Sequence, residues 1–174
     1  MKIAVTGLNA IDSPGPGVPV IRSIKDAKDF KGEIIGLSYD SLDPGLYIEK
    51  LTSKSYLIPY PSSGLEYFLE RLLAIHKIEK LDFIIPTLDS ELYAFIKIQD
   101  KLLEAGIKLF LPTFEQLEIR SKDKLFNFCT KQGIKVPKNI LATNISNLHS
   151  IQNNFSYPVV LKGIFYEAYI VNNF

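Results

Sequence analysis

Short apolar runs alternate with longer amphipathic ones along this chain. Strand-like runs lie at 2–6 (KIAVT), 33–37 (EIIGL), 56–58 (YLI), 82–85 (DFII) and 108–111 (KLFL). They are rich in β-branched and aromatic residues and end at Gly, Pro, Ser or Asp, residues that favour turns. Helical spacing separates them. Ile21, Ile24, Ala27 and Phe30 recur on one face, with Gly32 placed as a C-terminal cap. Leu65, Phe68, Leu69, Leu72 and Leu73 share a face over 65–76, and a third pattern runs over 90–105 and closes at Gly106. The order strand, helix, strand predicts an α/β domain: a Rossmann-like open parallel sheet with helices on both faces. Such sheets hold ligands at the C-terminal ends of their strands, so the loops opening at Gly7, Ser38, Pro86 and Pro112 are the ones that matter.

After Pro112 the pattern changes. Residues 114–120 and 121–132 read as helices, the second ending at Gly133, and 144–154 as another short helix. "YPVVLKG" and "EAYIV" then read as a hairpin, since only a few residues separate them. We therefore expect a first domain over 1–120 and a second, α+β unit over 121–174 that stops before it is complete.

Composition narrows the picture. The chain has 174 residues, of which 47% are hydrophobic and 22% charged, and a formal net charge of +1. That balance offers no broad field for nucleic acid or an acidic membrane. One cysteine precludes an intrachain disulfide framework and suits a reducing compartment. The opening MKIAVTG reads as a strand, not a signal peptide, and no apolar run approaches the roughly 20 residues that span a bilayer. The expected location is cytoplasmic, with a small-molecule substrate as partner and a homodimer left open.

Four segments carry candidate chemistry. "VTGLNAIDSPGPG" lies where a dinucleotide fingerprint would lie, but Gly7 stands alone and Gly15 and Gly17 follow late. Pro14, Pro16 and Pro19 have no N–H to offer a phosphate. A stiff strand-to-helix connection fits better, although Asp40 after the second strand sits where a ribose-binding acid belongs. "PTLDSEL" places Asp89, Ser90 and Glu91 at a strand's C-terminal end, where they either face a ligand or cap the next helix. In "RSKDKLFNFC", Ser121 suits an N-cap, but Lys122 and Lys124 oppose the helix dipole by a few tenths of a kcal/mol each. They either await an anion or extend into water. Lys162 is the one charge in "YPVVLKG", on the same strand face as Val160: a phosphate-binding point charge or a solvent-facing lysine on an edge strand. His76, His149 and Cys129 have no metal-ligand spacing, and Cys129 beside Leu125 and Phe128 reads as a buried thiol.

In this order, the pieces resemble the ATP-grasp superfamily, particularly proteins similar to the carbamoyl-phosphate synthase large subunit. "KDKLFNFCTKQGIKVPKNI" is similar to the family's D-K/R … G-I/V-x-x-P helix and turn, and "YPVVLKG" to the strand bearing its nucleotide lysine. The resemblance implies an ATP-dependent ligase that activates a carboxylate through an acyl-phosphate, using ATP and Mg2+ in the intact protein. It implies that Lys124 and Lys162 contact ATP, and that Asn9, Asp12, Asp89 and Glu91 border the substrate cleft. It also implies that this chain is the N-terminal portion, with the adenine hinge and metal ligands outside it and little turnover of its own. The rival reading is a non-catalytic Rossmann-like module that binds a nucleotide or metabolite.

Overall fold

The computed structural model describes residues 1–10, 15–163 and 167–173. Two compact units divide it, Met1–Leu111 and Pro112–Phe174. In the first, β1 (Lys2–Val5), β2 (Glu33–Ser38), β3 (Lys54–Leu57) and β4 (Phe83–Ile85) form a sheet in the order β3-β2-β1-β4. Every pairing in it is parallel. Helices α1 (Gly17–Asp26), α2 (Leu65–Glu79) and α3 (Asp89–Glu104) connect or follow these strands.

The two-residue period of the strands sorts the core into two layers. Ile3 and Val5 of β1 join Ile34, Val18 and Ile21 on the α1 face. Ala4, Ile35, Leu37 and Ile84 point the other way, into a layer closed by Phe68, Leu72 and Ile75 of α2 and by Phe95, Ile98 and Leu102 of α3. Phe68 and Phe95 meet edge to face, with ring centres 5.1 Å apart. Both faces of β1 and β2 are covered, as their near-continuous apolar runs require.

Two features of the first unit differ from expectation. Residues 108–111 join the sheet only through a bridge between Phe83 and Lys108; Pro112 follows with no N–H to extend a ladder. Helix α1 ends at Asp26, well before Gly32. Gly32 instead lets the chain pass close to Met1, whose carbonyl accepts the Glu33 N–H at 3.0 Å; a Cβ there would overlap that oxygen. Gly106, by contrast, lies just past the end of α3 with φ +90° and open space around it.

The N-terminal edge of the sheet is fastened by Glu79, the last residue of α2, whose side chain is fully buried. It pairs with Lys54 at 2.8 Å and Lys2 at 3.0 Å, and accepts the Tyr56 hydroxyl. The bonds from Lys54, Tyr56 and Lys2 outweigh burial and hold its carboxyl down at about 2.

In the second unit, α4 (Phe114–Ile119) opens on a capping box between Thr113 and Gln116. Helices α5 (Leu125–Lys131) and α6 (Ile145–Asn154) follow, then an antiparallel hairpin of β5 (Val159–Lys162) and β6 (Ala168–Val171). Helix α5 starts at Leu125, later than the expected start at Ser121, and Lys124 takes the N-cap position. Residues 121–124 form a turn in which the Ser121 carbonyl accepts the Lys124 and Leu125 amides. The later start removes Lys122 from a first helical turn, where a cation is disfavoured. Among the described residues no helix is long and apolar enough to cross a membrane.

Three variants test this packing. Gly17→Ala, whose Cβ would overlap the Thr6 carbonyl oxygen, is expected to lower stability in urea unfolding by about 2–3 kcal/mol. Gly106→Ala meets only backbone strain, and is expected to cost about 1 kcal/mol. Glu79's contribution is present above its ordinary value of 4.5 and lost as pH falls through about 2. Glu79→Gln should therefore lower Tm by roughly 5 °C at pH 7, with the difference from the parent chain closing only near pH 2.

Candidate functional site

Chain order along the sheet reverses between β1 and β4, because β2 and β3 extend to one side of β1 and β4 to the other. Open α/β sheets bind ligands at this position, outside the C-terminal ends of the strands. Here the crevice is organised by one carboxylate. Glu91, in the first turn of α3, is 1% exposed. Its Oε1 accepts the Thr6 hydroxyl and the backbone amides of Thr87 and Leu88, at 2.8 and 2.9 Å. Its Oε2 accepts the Tyr39 hydroxyl. Thr87 in turn donates to Thr6, through its amide to Oγ1 and through its hydroxyl to the backbone oxygen. The Tyr39 ring stacks on Tyr60, centre to centre at 5.1 Å. Segments following all four strands are thus joined through Glu91.

Burial raises the Glu91 carboxyl above its ordinary range, opposed by the hydrogen bonds from Thr6, Tyr39 and the two amides. Burial, then the neighbouring Glu91, pushes the Tyr39 hydroxyl up strongly.

Two glycine amides of the loop are taken up by backbone carbonyls. The Gly17 amide donates to Gly7 O at 2.9 Å and the Gly15 amide to Asn9 O at 2.6 Å. Neither amide is left to face a ligand, and a Cβ at Gly17 would overlap the Thr6 carbonyl oxygen. Asn9 is half-buried, and its Oδ1 is a buried acceptor with no hydrogen-bond partner among the described residues. Asp12 lies outside the described residues. Asp40 is exposed and accepts the Leu42 amide at 2.8 Å, closing its own turn. Asp89 is exposed at the start of α3, where its charge complements the helix dipole.

In the second unit, Lys124 pairs with Glu118. Lys162 ends β5 with its side chain exposed. Lys122 donates to Gly163 O at 2.7 Å, and its own carbonyl accepts the Asn139 side-chain amide at 2.9 Å. The turn at 121–124 is therefore tied to the residue following Lys162. Sequence reasoning treated Lys122 only as a companion of Lys124 and missed this anchoring role. Cys129 is buried in α5. Among the described residues no three His, Cys, Asp or Glu side chains converge on a point that could hold a metal ion.

No family model matches this sequence, and no curated protein matches it. Solved structures do. The L-amino acid ligase from Bacillus licheniformis matches over 99% of this chain and 39% of its own, with TM-score 0.67 and 15% identity. The biotin carboxylase from Campylobacter jejuni, solved as a β,γ-ATP complex, matches over 99% and 38%, with TM-score 0.61 and 19% identity. The biotin carboxylase domain of the Hydrogenobacter thermophilus 2-oxoglutarate carboxylase, a dimer with MgADP, ADP and bicarbonate, matches over 99% and 37%, with TM-score 0.59 and 19% identity. These neighbours are ATP-grasp proteins. The likeness is one of fold: a parallel sheet between helices, then a small antiparallel sheet. The chain spans less than two fifths of the length of each of these three.

Because the Gly15 and Gly17 amides and Asp40 are already engaged, NAD is expected to leave Tm unchanged in a thermal scan. A rise in Tm that Asp40→Ala abolishes would reinstate a dinucleotide site.

Proposed function

We propose that this chain supplies the N-terminal portion of an ATP-dependent ligase of the ATP-grasp type, similar to the carbamoyl-phosphate synthase large subunit. Its domains would divide as 1–120 and 121–174. The observation that carries this reading is the likeness of fold over 99% of the chain to ATP-grasp ligases and carboxylases. When bound, ATP supplies the phosphoryl group that converts a carboxylate into an acyl-phosphate, open to attack by an amine or similar nucleophile.

The chain's own residues have defined parts in this reading. Lys162, exposed at the end of β5, meets an ATP phosphate as a point charge. Lys124 exchanges Glu118 for phosphate; an exposed ion pair of this kind holds by only about 0–1 kcal/mol, so the exchange costs little. Lys122, bonded to Gly163 O, keeps the turn at 121–124 beside the hairpin. In the first unit, Asn9 and Asp89 border the substrate end of the cleft. Glu91 holds that border in shape through Thr6, Tyr39 and Thr87, with both its oxygens engaged. Among the described residues no three His, Cys, Asp or Glu side chains converge on a metal position.

Calorimetric titration with Mg-ATP tests the reading. The chain is expected to bind with a millimolar Kd and to turn over little ATP. Lys162→Ala should weaken binding about tenfold and Lys124→Ala about threefold, in line with one charged contact each. Equal affinity after both replacements would overturn the site, and turnover at the rate of an intact ligase would overturn the assignment as a portion.

A further inference from the structure

The second unit has almost no interior of its own. Among its described residues the buried hydrophobics are Leu117 and Cys129, and neither apolar layer of the core includes a residue of this unit. Twelve large hydrophobics stand exposed in it instead, from Phe114 to Ile170. Surface area points the same way. Two compact units of these sizes, wholly apart, would expose about 10,200 Å2 between them, whereas the chain exposes 11675 Å2. The surplus of about 1,400 Å2 exceeds the ~800 Å2 that each partner of a stable dimer withdraws from water.

The β5–β6 hairpin organises part of this surface. Its cross-strand pairs put Val159, Val171, Leu161 and Tyr169 on one face, and Val160, Ile170, Lys162 and Ala168 on the other. The first face carries no charge. Leu161 and Tyr169 are 52% and 56% exposed on it, with Val159 and Val171 half-buried beside them. A two-stranded hairpin is marginal by itself and gains stability when such a face is covered.

We propose that a second copy of this chain covers that face, the two hairpins meeting about a two-fold axis. A contact of this symmetry sets one patch against itself. A charged patch would repel its copy, but this one brings together only apolar side chains. Packed sheets lie about 10 Å apart, a spacing that seats Leu161 of one copy beside Tyr169 of the other. Lys162 lies on the opposite face, so the contact leaves it open, and the inference does not rest on the ATP reading.

Charge elsewhere in the unit sets the sign of the salt dependence. Residues 112–174 hold seven Lys or Arg and four Asp or Glu, so two copies of this unit repel each other. Added salt screens that repulsion and leaves the apolar burial in place. Association should therefore strengthen as NaCl rises from about 50 to about 500 mM.

Sedimentation of the full chain without nucleotide, from about 5 to about 500 μM, tests this. The weight-average mass should climb from 19.6 kDa toward twice that value. Tyr169→Lys and Leu161→Lys should each weaken association about tenfold, as loss of a central contact does. Ile170→Lys, on the other face, should leave it unchanged. Mixed samples of 13C-labelled and unlabelled chain should give intermolecular contacts between the Leu161 methyls and the Tyr169 ring, so the test stands even if a lysine variant fails to fold. A monomer at every concentration, equal loss of association in Ile170→Lys, or association that weakens with salt would overturn the contact.

Discussion

Everything at the C-terminal edge of the first unit depends on four donors aimed at one buried carboxylate. Glu91 takes hydrogen bonds from the ends of β1, β2 and β4, and the stack of Tyr39 on Tyr60 brings in the end of β3. Without such a tie, four parallel strands would present four independent loops, and a crevice at the switch point would have no fixed wall. A carboxylate serves here because its two oxygens both accept, whereas an amide in its place would offer one acceptor oxygen to four donors. The opposite edge uses the other solution, a carboxylate between two lysines, and withstands acid for that reason.

Close approach of backbone explains the glycine-rich loop more completely than ligand binding does. Gly7 and Gly17 bring the start of α1 against the end of β1, and a Cβ at either position would run into Thr87 or Thr6. The Gly15 and Gly17 amides bond to the carbonyls of Asn9 and Gly7. In the proposed reading the loop walls a cleft, and phosphate is left to lysines of the second unit. Of these, Lys162 is exposed and Lys124 is held by a surface ion pair that is cheap to exchange.

Much of this was legible in the sequence. The periods of two and 3.6 residues placed the strands and helices of the first unit and the hairpin of the second, since each element buries a face that the pattern marks. Gly106 and Gly133 mark helix ends with positive φ, as their positions suggested. Where the reading slipped, long-range contacts overrode local ones: Gly32 serves the neighbouring strand, not the preceding helix, and 108–111 meets β4 only at the bridge between Phe83 and Lys108. The double role of Glu91 was not legible. Position alone allows Glu91 to cap a helix or to face a ligand, and only Thr6 and Tyr39, 85 and 52 residues away, show that both oxygens are engaged. Lys122 was hidden likewise, because its partner Gly163 is 41 residues distant.

The central claim is that phosphate chemistry belongs to the lysines of the second unit and not to the glycine-rich loop of the first. Chemical-shift mapping of the isotope-labelled chain with Mg-ATP tests it directly. The account predicts perturbations concentrated at residues 121–124 and at Lys162 and Gly163. Perturbations concentrated instead at Gly7, Gly15, Gly17 and Asp40 would contradict it.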